Sequence, residues 1–171
     1  LMRFFEGGRA EVESVAIEDR ILKELEASLV LYFTGVSRES ASIIEEQTAN
    51  MRSHAQKSLE GLHALKAGAF EMRDALVAGD LPRFGALLDA GWSSKKLLAN
   101  RISSSGIDAV YDAAKSFGVF GGKVSGAGGG GFMMFLVDPT RREGLKRLLG
   151  KFGGAAQAAR FTSVGAESWS A

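Results

Sequence analysis

Gly121-Gly122-Lys123-Val124-Ser125-Gly126-Ala127-Gly128-Gly129-Gly130-Gly131-Phe132 is the stretch on which the fold turns. Glycine loses more backbone freedom on folding than any other residue, and this run gives a core no side chains. It makes sense where φ must be positive or where something must approach the backbone closely. Phe132-Met133-Met134-Phe135-Leu136-Val137 follows at once, an uninterrupted apolar run that reads as a buried strand. The unit is a glycine loop feeding directly into a strand.

Two phosphate motifs can be tested against it. Gly126-x-Gly128-x-x-Gly131 has dinucleotide-binding spacing, but that motif must follow a strand and open a helix. Here it opens a strand, so the context excludes it. A P-loop needs Lys and then Ser or Thr after its last glycine, where this chain has Phe132 and Met133. What survives is the underlying physics: successive exposed backbone N–H groups form an anion-binding concavity. The competing reading is a tight hairpin or bulge whose glycines only relieve steric conflict. The residues by themselves leave both open.

The chain has 171 residues, enough for one domain with a real core, and 46% hydrophobic with 24% charged residues is ordinary for a globular protein. Twenty-one basic and twenty acidic residues leave a net charge of +1, which recommends no nucleic-acid partner. Without cysteine there is neither disulfide nor thiol chemistry, a composition compatible with a reducing cytosol. No apolar run approaches the roughly 18 residues of a membrane span. The chain starts Leu1-Met2, so a trimmed or proteolytic piece is expected.

Leu1 to Phe5, the turn Glu6-Gly7-Gly8-Arg9 and Ala10 to Ile17 read as a hairpin. Leu29 to Phe33 reads as a buried strand, and a helix starting near Ser37 should turn Ala41, Ile44, Thr48 and Met51 inward. In the next helix Leu59, Leu62, Leu65, Ala69, Met72 and Leu76 form an apolar stripe. Gly79 ends it and Asp80 caps a further helix carrying Leu81, Phe84, Leu87, Leu88 and Leu98, with Pro82 in its first turn. Ser105-x-x-Asp108 reads as a capping box for a helix with Ile107, Val110, Tyr111, Ala114 and Phe117 inward, closed by Gly118. After the loop and its strand, Asp138-Pro139 starts a final helix facing inward with Leu145, Leu148, Leu149 and Phe152, and Ala158 to Val164 makes a last strand. Strand, several helices, strand, helix, strand predicts an α+β fold, with helices layered over an antiparallel sheet.

The loop Lys123-Val-Ser-Gly-Ala-Gly-Gly-Gly-Gly-Phe132 resembles the third, C-terminal motif of the GHMP kinases (galacto-, homoserine, mevalonate and phosphomevalonate kinases). Tyr32 to Ala41, Gly91-Trp92 with Lys95-Lys96, and the loop itself are similar to the D-glycero-D-manno-heptose 7-phosphate kinase group within that superfamily. The resemblance implies a ferredoxin-like C-terminal domain over 21–171. It makes 1–20 a hairpin belonging to, or linking from, an N-terminal domain. It implies phosphoryl transfer from ATP, with Mg²⁺, to a sugar phosphate in the cytoplasm, heptose 7-phosphate being the best single acceptor. Another GHMP kinase (for fucose, galactose, mevalonate or homoserine) and a non-catalytic anion-binding α+β module are the alternatives. A homodimer is compatible with either.

By that resemblance Lys123, Ser125, Gly126, Ala127, Gly128, Gly129, Gly130 and Gly131 line the nucleotide and phosphate site. Ser37 and Arg38, at a strand-to-helix transition, are the substrate-side candidates. The family's phosphate loop, Mg²⁺ ligands and catalytic aspartate belong to its N-terminal domain. No catalytic or metal-binding residue is therefore assigned here, and this chain by itself should not turn over.

The remaining polar residues have plainer readings. His54 and His63 are nine apart, which is not the i, i+4 pairing of a helical metal site, and are expected to be solvated. Asp108 and Asp112 share a helix face, but Asp108 is better explained by capping. Glu45-Glu46 reads as a solvated helix face. Ser103-Ser104-Ser105-Gly106 imitates the family's Gly-Leu-x-Ser-Ser phosphate loop but lacks its leading glycines, and reads as a helix start. Trp92 is expected in packing, and Lys95 and Lys96 in solvent.

Overall fold

The computed structural model describes residues 1–36 and 40–169. At the start, β1 (Met2–Phe4) and β2 (Ala10–Val12) pair antiparallel around a 3-10 turn, Glu6–Gly8, in the register Met2↔Val12 to Phe4↔Ala10. The expected hairpin is there, but its second strand stops at Val12 instead of running to Ile17. Met2, Phe4 and Val12 are well exposed on it. The helix α1 (Asp19–Ser28) then leads into β3 (Leu29–Phe33).

Four helices intervene before the next strand: α2 (Ser40–Arg52), α3 (Gln56–Val77), α4 (Leu81–Lys96) and α5 (Ser105–Phe117). The chain then returns through β4 (Gly121–Val124), β5 (Phe132–Leu136), α6 (Arg142–Leu149) and β6 (Ala155–Ala158). The strands form one antiparallel sheet in the order β4-β5-β3-β6. This is a ferredoxin-like βαββαβ sheet with extra helices inserted after its first strand.

The central pair decides what is buried. Val30 sits opposite Phe135 and Tyr32 opposite Met133, all at most 1% exposed on one face of the sheet. Against that face pack Trp92, Val110, Tyr111, Ala114, Leu145 and Leu149 from α4, α5 and α6. Strand alternation and helix periodicity thus meet in one core.

Several expected faces are corrected. In α2 the buried residue is Ile43, whereas Ile44 and Met51 are exposed. Polar tethers choose that face: Asn50 Nδ2 donates to the Leu98 carbonyl (2.8 Å), and Glu46 Oε1 accepts from the Asn100 amide (2.9 Å). In α3 the residues fully buried are Ser58, Gly61 and Ala75, with Leu62 and Leu65 only partly covered. A Cβ added at Gly61 would lie 2.7 Å from the Ser94 carbonyl oxygen, so α3 meets α4 along small residues at close range.

Caps follow the sequence more closely. Asp80 accepts from the Arg83 amide (3.0 Å), and Gly118 closes α5 in the left-handed conformation at φ 95°. The α5 cap is Ser104 rather than Ser105: its Oγ accepts from the Ile107 amide (3.4 Å), while Ser103 Oγ donates to Asp108 (2.7 Å). Asp138 accepts from the Thr140 amide (2.8 Å) and starts a 3-10 turn, Pro139–Arg141, that runs into α6. The last strand is β6, three residues earlier than expected. It pairs antiparallel with β3 from Phe33↔Ala155 to Val30↔Ala158, and so ends beside the start of β3. Phe152, expected in the core, is 40% exposed and faces a cleft.

Candidate active site at the glycine loop

Residues 125–131 join β4 to β5, and five of the seven adopt positive φ: Gly126 69°, Gly128 111°, Gly129 76°, Gly130 153° and Gly131 81°. Side chains disfavour that region, so the glycines are required by the path of the backbone. The loop is stitched to three neighbours. Ser125 N–H donates to the Phe132 carbonyl (2.8 Å), continuing the β4–β5 ladder. Gly129 N–H donates to Ile102 (2.8 Å) in a 3-10 turn, Asn100–Ile102. Gly131 N–H donates to Val36 (2.7 Å), and its carbonyl accepts from the Thr34 amide (2.9 Å) at the exit of β3.

Gly128 has a separate reason. A Cβ there would lie 2.7 Å from the Ile102 carbonyl oxygen, so a backbone crosses where a side chain would stand. The steric reading of the loop holds at Gly128. Some glycines relieve steric conflict, while among the described residues the amides of Gly126, Ala127, Gly128 and Gly130 find no acceptor. Backbone N–H groups left open in a glycine concavity are suited to an anion.

They do not stand alone. Gly129 and Gly130 form one wall of a cleft of about 160 Å³, with Thr34, just after β3, beside them and Ser104 and Gly106 at the start of α5 opposite. The positive end of that helix dipole opens on the same space. A drug-sized ligand needs a pocket of about 300–1,000 Å³. This cleft has room for a phosphate-sized group.

Of the residues expected at the site, Gly129 and Gly130 line the cleft. Gly126, Ala127, Gly128 and Gly131 shape the loop behind it, and Lys123 and Ser125 lie on its β4 side, both half-buried. Ser37 and Arg38 lie outside the described residues. His63 is exposed, as is His54, which sits at φ 53° between α2 and α3. Trp92 is in the core at 1% exposure, 6.2 Å from the Tyr111 ring.

Two features went unread in the sequence. Lys95, expected in solvent, donates from Nζ to the Gly126 carbonyl. Burial, and next the charge of Lys123, hold its ammonium below the ordinary lysine range. The second is a polar knot under β4. The Tyr111 hydroxyl lies between the Asp89 carboxylate, to which it donates, and the Gly122 carbonyl (2.8 Å), and Lys115 Nζ donates to Asp89 (2.7 Å). Burial alone would raise the Asp89 carboxyl; the hydrogen bonds from Lys115 and Tyr111 and the charges of Lys115 and Lys96 outweigh it and leave it below the usual carboxylate range. Burial, and then Asp89, push the Tyr111 phenol up. The knot holds α4 and α5 against the strand that carries the loop. Neither feature had a local signal, because each joins residues far apart in sequence.

A glycine loop feeding an antiparallel strand, over a helix-covered ferredoxin-like sheet, defines a class. The chain carries a GHMP kinase C-terminal domain: residues 72–155 match the family model described as GHMP kinases C terminal. Among curated proteins it is 39% identical over 168 residues to the D-glycero-alpha-D-manno-heptose 7-phosphate kinase of Campylobacter jejuni, covering 98% of this chain and 49% of that one. Among solved structures it is similar to a D-glycero-D-manno-heptose 1-phosphate kinase from Bacteroides thetaiotaomicron, at 30% identity and TM-score 0.64, over 92% of this chain and 40% of that one. The L. major mevalonate kinase, solved with R-mevalonate, shares the fold at 20% identity and TM-score 0.69, over 88% of this chain and 43% of that one. The chain spans about half the length of the heptose kinase it matches.

Proposed function

We propose that this chain is the C-terminal half of an ATP-dependent sugar kinase, and that its glycine loop seats phosphate during transfer from ATP to heptose 7-phosphate. The observation that carries this reading is the loop itself, in which Gly130, whose amide finds no acceptor among the described residues, lines the cleft at the start of α5. The heptose phosphate kinases among its relatives supply the acceptor.

ATP, when bound, supplies the phosphoryl group. The residues that would hold it are those of 123–131, and their part is positioning and charge. Phosphoryl transfer depends mainly on these. Backbone amides suit that task because they can be neither deprotonated near neutral pH nor swung away, so their dipoles are set before the charge develops. Ser37 and Arg38, next to Val36 in sequence, are proposed at the acceptor's edge of the site.

Among the described residues no group of three or more His, Asp or Glu side chains converges. The Mg²⁺ ligands and the catalytic aspartate are proposed to come from an N-terminal kinase domain, with the β1–β2 hairpin at the junction. Among the described residues no helix is long and apolar enough to cross a membrane, and the assembled kinase is proposed to work in the cytoplasm.

The test is ADP release by the complete gene product carrying this chain, with MgATP and a panel of heptose 7-phosphate, fucose, galactose, mevalonate and homoserine. Heptose 7-phosphate is expected to give the highest kcat/KM. Preference for another acceptor would keep the kinase and overturn the substrate. Silence across the panel from folded protein would favour the anion-binding module.

A further inference from the structure

The α4 side of the glycine loop carries a lysine, Lys95, that the site above does not use. Lysines in the last turn of a helix are ordinary, because they favour the negative end of its dipole. The direction taken by Lys95 is less ordinary: it reaches 31 residues along the chain to the Gly126 carbonyl. Lys123 lies on β4, the strand that packs against α4 at Gly121 and Gly85, and three residues before Gly126; its charge acts on Lys95. Among the described residues neither ammonium meets a carboxylate, whereas Lys115 pairs with Asp89 (2.7 Å) and Lys146 with Glu143 (3.1 Å). Holding a half-buried ammonium beside a second one, with no counter-charge, is unfavourable. The arrangement is relieved by an anion shared between the two.

Local geometry fixes the peptide at the start of the loop. A trans peptide points its carbonyl and its N–H in opposite directions. Fixing the Gly126 carbonyl on Lys95 therefore turns the Ala127 N–H away from α4. Lys95 has three N–H groups and spends one on Gly126, so two remain.

We propose that Lys95 and Lys123 form a two-cation seat for a phosphate group on the α4 side of the glycine loop, Lys95 serving both as a ligand and as the residue that orients the Gly126–Ala127 peptide. The inference rests on the kinase reading only for the source of the phosphate. The shared chemistry is a phosphate dianion, either from the polyphosphate of the nucleotide or from the acceptor's own ester. The rival account is a strut, in which Lys95 merely holds a carbonyl.

Glutamine separates the two, because it keeps an N–H donor for Gly126 and loses the charge. The experiment is calorimetric titration of the complete gene product with inorganic tripolyphosphate and, separately, with heptose 7-phosphate. It compares the wild type with Lys95→Gln, Lys95→Arg and Lys123→Gln, each checked for an unchanged melting temperature. Each glutamine variant should weaken one of the two ligands about tenfold, the loss of one charge-assisted hydrogen bond, and flatten its salt dependence. Lys95→Arg should keep most of the affinity. Weakened tripolyphosphate assigns the seat to the nucleotide, and weakened heptose 7-phosphate assigns it to the acceptor. Unchanged affinity for both in Lys95→Gln overturns the proposal, as does arginine failing as badly as glutamine, or no measurable binding by the wild type. A gene product that binds tripolyphosphate through both lysines yet transfers no phosphoryl group would sink the kinase reading and leave the seat standing. An active kinase indifferent to both lysines would sink the seat alone.

Discussion

Gly121→Ala should destabilise the chain by about 3 kcal/mol or more, at the upper end of the overpacking range. A Cβ at this position would lie 1.8 Å from the Gly85 carbonyl oxygen and 2.6 Å from the carbonyl carbon, both backbone atoms of α4. No rotamer change can relieve such a contact. α4 cannot retreat cheaply either, because Trp92 from the same helix is packed in the core at 1% exposure and Asp89 is tied to Tyr111 and Lys115. The contact is reciprocal, since a Cβ on Gly85 would lie 2.4 Å from the Phe120 Cβ. Urea denaturation followed by circular dichroism measures the effect. Gly68→Ala is the control: it lies within α3 with nothing within 4 Å of an added Cβ, and should stabilise by about 0.5–1 kcal/mol through helix propensity. A loss below about 1 kcal/mol for Gly121→Ala would mean that α4 and β4 are not in backbone contact.

The second large effect is on activity. Gly128→Ala should lower kcat/KM of the complete gene product by about a hundredfold, the scale of an ångström's misplacement of a catalytic element. At φ 111° the new side chain is strained, and its Cβ would stand 2.7 Å from the Ile102 carbonyl oxygen. The loop must then move off the 3-10 turn and break the Gly129–Ile102 hydrogen bond, which carries the Gly130 amide out of the cleft. Unlike Gly121, the site lies at the end of the sheet, so the loss of stability should be only about 1–3 kcal/mol, leaving the protein folded at assay temperature. Steady-state kinetics together with a melting curve separate the two consequences. Full activity in the folded variant would return the loop to a purely steric role.

What could be read from the chain alone was what local physics controls. The loop and β5 announced themselves, because four successive glycines and an apolar hexapeptide leave few alternatives. Asp80 and Gly118 were legible as caps, since capping is decided within four residues. The faces of α2 and α3 differ from the hydrophobic pattern because hydrophobicity alone does not decide what is buried there. Gly61 and Ser58 are inside because smallness lets α4 approach, and Ile43 is inside because Asn50 and Glu46 are hydrogen-bonded beyond their own helix. The last strand comes earlier than its residues suggest, because its end is set by the start of β3, where pairing partners run out. Lys95 shows the same limit at the site: its partner is fixed by the packing of α4 on β4, which no window of sequence contains.

The claim at the centre of this account is that the glycine loop receives phosphate through its open amides. Nitrogen-15 amide spectra of the complete gene product, recorded while a non-hydrolysable ATP analogue is titrated with Mg²⁺, test it most directly. The account predicts saturable downfield shifts at Ala127 and Gly130, with Gly129 and Gly131 moving less because their N–H groups are already bonded to Ile102 and Val36. Saturating nucleotide that leaves the Ala127 and Gly130 resonances in place would contradict it.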